Sequence, residues 1–415
     1  MQQSDPHFTF DNRAFAPTQL STPEDDEPRA MSVQFTGSGS EYFRIWIVNL
    51  LLIVVTLTLY WPFARARRLA YFQANTVIDG QPLGFHGDPW KMFRGYLMMF
   101  VLAIAYSIAS NASPVAALAS VVILAVVWPA LWRASLQFRL ANTSWRGVRF
   151  AFKGSLGGAY GAMLPAFLPS VVFLGLAAFV GAPGEESTLT EAQGARLAFW
   201  MGAAMLAFVI ALPWALARIK RYQHQNYHYA GQTTTLMAST GQFYVLGLKL
   251  LGVSLALVVV AVGLVAVIAL VGGGLAVLSG LFGGEGGGKA SAAFGVMTVV
   301  AIAGVYIASF FVVGPYGVSR LQNLVWGHTQ SARIYFGSDL RLLPLAGRTT
   351  LNVFLTALTL GLYRPFAVVA MTKLKLEAVS IEVTGSVDDW VAEASAMNDA
   401  SGDAAGDFFG FDMGL

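Results

Sequence analysis

Long uncharged apolar runs alternate along this chain with short basic and aromatic stretches, and none of the runs shows strict two-residue alternation. A helix needs about 20 apolar residues to cross a hydrocarbon core of roughly 30 Å, so the runs predict membrane-spanning helices and argue against a β-barrel. Eight spans are predicted, near residues 44–63, 92–111, 114–132, 159–182, 196–217, 244–272, 292–314 and 349–367. The expected fold class is an all-α polytopic membrane protein.

The polar punctuation repeats. WPFARARRLAYFQANT contains Pro62, WPALWRASLQFRLANT contains Pro129 and LPWALARIKRYQHQNY contains Pro213; thirteen residues beyond each proline stands an asparagine, Asn75, Asn142 or Asn226. GPYGVSRLQNLVWGHT, with Pro315, carries His328 at that offset, and YRPFAVVAMTKLKLEA keeps only Pro365. An aromatic-x-Gly segment recurs with the same rhythm: FTG at Phe35, FHG at Phe85, FKG at Phe152 and YFGS at Tyr335, with weaker versions at Met237 and Val383. The chain therefore reads as internal repeats, each a span, a proline, an amphipathic helix and a small extended segment.

Loop charge orients the array. The loops after spans 1, 3, 5 and 7 hold eighteen Lys or Arg, whereas the opposite loops hold Arg196 and Lys289. The positive-inside rule puts the proline ends in the cytoplasm. A proline there lets the chain leave the bilayer at little cost, and the Arg-rich aromatic segment beyond it suits the headgroup layer. Four short interfacial helices are expected, with Arg65, Arg67, Arg68, Arg133, Arg139, Arg218, Lys220, Arg221 and Arg320 as candidate contacts to lipid phosphate. Asn75, Asn142 and Asn226 are expected near the helix C-termini, where Asn tolerates a left-handed backbone. One conflict stays open. Eight crossings would leave both termini outside, yet the last repeat asks for Lys373 and Lys375 inside; either span 8 breaks the symmetry or a terminal hydrophobic segment is re-entrant.

Composition agrees with the membrane reading and narrows the partners. Of 415 residues 56% are hydrophobic and only 12% charged, too little polar surface for a soluble globule of this size. The net charge of +3 is small and the basic residues are scattered, which disfavours nucleic acid and points to anionic membrane lipid. The absence of cysteine removes disulfides, thiolate catalysis and cysteine metal sites. Residues 1–30 read as a disordered tail without an apolar leader, 31–386 as the repeat-built membrane domain, and 387–415 as an acidic disordered tail.

Little in the sequence suggests reaction chemistry. GGEGGGKAS, residues 283–291, nearly fits a phosphate-binding loop, but Ala290 replaces the metal-binding hydroxyl and no strand precedes it, so a linker is expected. His224 and His228 stand i, i+4 apart, yet no cysteine or nearby carboxylate completes a metal site. Residues 95–132, 154–184, 197–217, 250–284 and 290–319 contain no Asp, Glu, Lys, Arg or His, although ion-coupled transporters usually bury such a group at membrane depth. Small-residue stretches at Gly157 and Val271 permit close helix approach. No cofactor, metal or enzymatic activity is expected. Transport without ion coupling, or lipid handling, is placed ahead of the alternative, a scaffold that organises anionic lipid or partner proteins through basic cytoplasmic loops; neither a protein partner nor self-association can be read from the residues.

The stretches FTGSGSEYFRIWIVN, LYWPFARARRLAYFQANT, GFHGDP and ALPWALARIKRYQHQNY resemble the YjgN-like bacterial inner-membrane proteins, a family of unknown function. The resemblance runs from about Val33 to Gly385. It implies a multi-pass inner-membrane location and supplies no catalytic residue.

Overall fold

The computed structural model describes residues 28–112, 114–167, 191–281 and 287–401. Ten helices follow one another as five hairpins: α1 (Gly39–Val55) with α2 (Trp61–Ala74), α3 (Pro89–Ala112) with α4 (Pro114–Ala141), α5 (156–167) with α6 (Glu191–His224), α7 (Thr240–Leu281) with α8 (Gly287–Trp326), and α9 (Leu342–Leu358) with α10 (Arg364–Leu376). An eleventh helix, α11 (Val387–Ser401), follows them. Among the described residues four helices are long and apolar enough to cross a membrane: α3, α6, α7 and α8.

The first and last hairpins are shorter than the hydropathy pattern suggests. The spans expected at 44–63 and 349–367 are each broken by a turn before the proline, leaving α1 and α9 with 17 residues apiece, or about 25 Å. Both turns are built alike. The Thr56 hydroxyl donates to the Leu52 carbonyl and accepts from the Tyr60 amide, while Thr359 does the same with Leu355 and Tyr363. Leu57 and Thr58 in the first turn, and Leu360 and Gly361 in the second, take positive φ to reverse the chain. Across each hairpin a buried asparagine donates to the returning arm, Asn49 to the Ala64 carbonyl and Asn352 to that of Ala367.

Proline plays two roles, one of them unexpected. Pro62 and Pro365 stand in the first turn of α2 and α10, where a missing amide costs nothing. Pro129, Pro213 and Pro315, by contrast, lie inside the continuous helices α4, α6 and α8. The expected separate interfacial helices therefore do not form there; the Arg-rich segments are the last turns of the long helices. Beside Pro129, Tyr160 of α5 donates to the Val126 carbonyl at 2.8 Å, which ties α4 to α5.

Among the described residues fourteen short strands join the hairpins at one end. After α2, α4 and α6 the chain forms tight β-hairpins, β3 (Thr76–Ile78) with β4 (Gln81–Pro82), β6 (Thr143–Trp145) with β7 (Val148–Arg149), and β9 (Tyr227–Tyr229) with β10 (Gln232–Thr233). Asp79-Gly80, Arg146-Gly147 and Ala230-Gly231 turn them, both residues of each pair at positive φ as a type I′ turn requires. The remaining strands are β1 (Arg29–Met31), β2 (Val33–Phe35), β5 (Gly84–Phe85), β8 (Ala151–Phe152), β11 (Thr235–Leu236), β12 (Thr329–Gln330), β13 (Ile334–Ser338) and β14 (Val379–Val383).

Each strand that leads into a helical hairpin pairs with the strand that leaves it. β2 pairs with β3, β5 with β6, β8 with β9, β11 with β12 and β13 with β14, all antiparallel. Both ends of every described helical hairpin thus lie in one layer. β1, continuous with β2 through Ser32, pairs with β14, so the first described strand meets the last and closes the circuit. α1 packs against α10 on the same seam, where the ring centre of Phe43 lies 5.7 Å from that of Phe366.

The aromatic-x-Gly motif has a steric cause. In FTG, FHG and FKG the ring folds back over the glycine two residues later, and a Cβ on Gly37 would lie 2.9 Å from the Phe35 ring, one on Gly154 2.5 Å from that of Phe152. Gly87 meets Phe85 in the same way. The helix then starts beneath the ring.

Two further expectations meet the structure here. Residues 387–401, read as part of a disordered acidic tail, form α11 with Trp390 buried; residues 1–27 and 402–415 lie outside the described residues. The glycine-rich stretch 283–291 is described only from Gly287, which begins α8.

Candidate functional site

The recurrent asparagines close helix ends, by a route other than the one expected. Asn75 has φ −96°, not a left-handed value. Its amide nitrogen instead donates to the Tyr71 carbonyl one turn back at 2.8 Å, as Asn142 does to Phe138 and Asn226 to Tyr222. A helix end leaves such carbonyls without a backbone donor. His328 reproduces the bond with its ring, Nδ1 lying 2.8 Å from the Leu324 carbonyl. The main-chain carbonyl at each position accepts from the strand entering the same hairpin: Thr36 on Asn75, His86 on Asn142, Lys153 on Asn226 and Met237 on His328.

The predicted phosphate-binding cations fall into two groups. Arg133 donates from Nε to the Gly154 carbonyl and Arg221 to that of Ala238, tying one hairpin to the next, while Arg218 donates to the Gly161 carbonyl and ties the two arms of the α5–α6 hairpin together. Lys220 reaches Gln223 on its own helix. Arg139, like Arg65, has polar or ring partners of its own. Arg65, Arg67, Arg68 and Arg320 lie over aromatic rings, Trp61, Tyr60, Phe72 and Tyr316, at 5.4 to 5.7 Å. Arg67, Arg68 and Arg320 are exposed.

A cluster the sequence reading missed sits where the strand hairpins converge. Met31, Trp145, Val148, Tyr229, Val383 and Trp390 are buried together, with Ile78 and Ile334 packed against them. Four of the five strand pairs contribute, whereas Leu236 of the β11–β12 pair packs in a separate cluster, so this cluster forms a floor shared by most of the circuit. Polar bonds run between successive positions: Tyr229 donates from its hydroxyl to the Trp145 carbonyl at 3.0 Å, and Trp145 from its indole to the Ile78 carbonyl at 3.3 Å. Burial pushes the Tyr229 hydroxyl above its usual pKa, which keeps it a donor. A signal was available, because Ile78, Trp145 and Tyr229 each follow a repeat asparagine by three residues and precede a turn glycine.

Charges ring the floor. Arg146 pairs with Asp79 at 3.1 Å and with Asp388 of α11, while its guanidinium lies 4.9 Å from the centre of the Trp145 ring. Arg29 also reaches Asp79, and Arg333 covers Trp390. α11 is thereby held across the floor by one ion pair and one buried aromatic.

The two histidines of α6 and β9 diverge. His224 is buried, 3.0 Å from the Thr329 hydroxyl, with Trp326 and Tyr227 against its ring. His228 faces Lys153 through Nε2 at 3.1 Å and Thr233 through Nδ1. Burial, then the Lys153 charge, lowers the His228 pKa below the usual imidazole value. Among the described residues no three His, Asp or Glu side chains cluster as metal ligands would.

Apolar helices of crossing length, joined through a strand layer ringed by basic side chains, define an integral membrane protein of several helices. The chain matches the family model described as "Bacterial protein of unknown function (DUF898)" over residues 30–408, and it belongs to that family. It is similar to the inner membrane protein YjgN of Salmonella typhimurium, 29% identical over 172 residues that cover 35% of this chain and 44% of the relative. The YjgN protein of Escherichia coli K12 is likewise 29% identical, over 147 residues covering 35% of this chain and 36% of the relative. The match thus spans less than half the length of these curated relatives. No solved structure matches. The chain is an inner-membrane protein.

Proposed function

We propose that this protein binds and handles a lipid or another amphiphile within the inner membrane, without ion coupling and without catalysing a reaction. The reading rests above all on the closed circuit of helical hairpins standing on an apolar floor. In the apolar stretches of α7 and α8 no residue is fully buried, so although the two helices pack on each other much of their apolar surface above the floor is left uncovered by protein. Such surfaces suit acyl chains better than water or ions. The lack of charge at membrane depth favours a ligand that needs no compensating ion.

Under this reading the chain is built from five repeats. The three central hairpins cross the membrane and return, while α1 with α2 and α9 with α10 dip into it and come back. Both termini and the strand layer then face the cytoplasm, in keeping with the basic helix ends, and the conflict between the first and last repeats disappears.

Native mass spectrometry of the protein excised from its own membrane in polymer nanodiscs tests the function. A specific lipid or metabolite retained beyond the bulk composition is the expected result. A stoichiometric protein partner accompanied by bulk lipid alone would replace this reading with the scaffold, whose support is the set of exposed arginines at the helix ends.

A further inference from the structure

One groove in the wall combines charge with an apolar ledge. It lies between α7 and α8, encloses about 590 Å³, and is lined by Lys249, Tyr316 and Arg320 together with Gly252, Val253 and Ala256. The two helices approach closely beside it, since a Cβ on Gly317 would lie 3.3 Å from a Leu250 methyl. The groove therefore has a firm back.

The position of its cations is specific. Beyond Lys249 no charged residue occurs on α7 up to Leu281, and on α8 none occurs between Lys289 and Arg320. Both groups thus stand at the border of the uncharged part of their helices, the level of a headgroup. Lys249 is ten residues into α7 and Arg320 six residues before the end of α8, which sets both roughly 9 to 15 Å above the strand layer. Neither forms an ion pair among the described residues, and no acidic side chain lines the groove. Arg320 lies over Tyr316, its guanidinium carbon 5.5 Å from the ring centre, a cation–π contact that restrains the group without using its N–H donors.

On α7, Lys249, Gly252, Val253 and Ala256 climb one face at helical spacing, so a small-residue ledge leads from the cations toward the membrane interior. An uncompensated pair of cations at headgroup level, with an apolar channel rising from it, is complementary to one class of molecule. We propose that this groove is a specific site for an anionic phospholipid, its phosphate held between Lys249 and Arg320 and one acyl chain laid along Gly252, Val253 and Ala256. A phosphate can take two N–H bonds from guanidinium and a point contact from ammonium. The proposal goes beyond lipid handling as such, because it requires the lipid to be held and not to be moved.

The test is native mass spectrometry of the full chain in phosphatidylcholine nanodiscs that carry a minority of phosphatidylglycerol. One phosphatidylglycerol per chain is expected to survive activation in the wild type. The double variant Lys249→Gln, Arg320→Gln should lose it, while Lys249→Arg keeps it, as does Arg67→Gln with Arg68→Gln, whose arginines lie outside the groove. Equal retention of the two lipids by the wild type, or an undiminished lipid on the double glutamine variant, overturns the proposal. Inorganic phosphate added to phosphatidylcholine nanodiscs separates the sources: a phosphate adduct that prevents phosphatidylglycerol retention would make this an oxyanion site and sink the lipid assignment. Should the double variant fail to fold, acylation of the wild-type Lys249 amine decides the matter. The rate should fall several-fold when phosphatidylglycerol is present, and an unchanged rate overturns the site.

Discussion

Arg29 stands opposite Val383 in an antiparallel strand pair, so the first described strand is zipped to the last. That pairing turns a string of hairpins into a closed circuit, and it has no counterpart in local sequence. Its neighbouring register pair, Ala30 with Glu382, is exposed on both strands and the chain has no cysteine of its own. Directly opposed residues lie about 4.5–5.5 Å apart at Cα, within disulfide reach. Ala30→Cys with Glu382→Cys should cross-link within one chain under copper-phenanthroline oxidation, detected as a single peptide pair spanning residues 30 and 382. Failure to cross-link, with each single-cysteine protein still folded, would open the circuit.

The turns at Leu57 and Leu360 give a test of the short terminal hairpins. Both residues are exposed and lie at the tips. With α1 near 25 Å and a hydrocarbon core of roughly 30 Å, the tips are expected to stop within the bilayer. Leu57→Cys or Leu360→Cys should resist a membrane-impermeant thiol reagent added from the periplasmic side. Rapid labelling there would mean that these hairpins cross.

Asn142 and His328 should respond differently to the same kind of substitution. Removing the side-chain donor by Asn142→Ala leaves the Phe138 carbonyl short of a partner and is expected to cost about 1 kcal/mol. His328→Ala should lose the corresponding bond to Leu324, whereas His328→Asn should restore it. Thermal unfolding in detergent compares the three, and equal loss for His328→Asn and His328→Ala would remove the shared role.

Gly154 and Gly157 make a matched pair. A methyl on Gly154 would be driven into the Phe152 ring and the Tyr222 hydroxyl, each 2.5 Å away, while one on Gly157 meets nothing within 4 Å. Overpacking of this kind costs about 1–3 kcal/mol. Gly154→Ala is expected to lower the unfolding temperature and Gly157→Ala to leave it unchanged or slightly raised; indistinguishable proteins would contradict the ring-on-glycine account.

The pH dependence of stability carries a sign set by His228. Its folded pKa lies below the unfolded value of about 6.5, because burial and Lys153 oppose its charge. The unfolded chain therefore binds more protons as pH falls below about 6.5. The His228 contribution to stability should decline from there and level off once its folded value is passed. His228→Gln should lose less stability than the wild type over that range; an equal or greater acid loss in the variant would reverse the assignment.

Membrane character was legible because it depends on summed composition, and helix type because continuous apolar length decides it. The repeat prolines, asparagines and aromatic-Gly pairs were visible as spacing, since each serves a bond within one turn or two residues of itself. What Pro129 would do was not: whether a helix runs on through a proline depends on the packing around it. The length of α1 was overread for a similar reason. Hydropathy continues through Thr56, Leu57 and Thr58, and only the hydroxyl bonds and positive φ angles stop the helix there.

By itself the sequence determined the solvent of this protein, the existence of its helices and the basic end of each, all properties of local composition. Only the tertiary structure decided that Arg29 meets Val383, that Ile78, Trp145 and Tyr229 share one floor, and that Lys249 and Arg320 face one groove. Those residues stand scores to hundreds of positions apart along the chain, and their meeting depends on strand register and helix packing that no local pattern encodes.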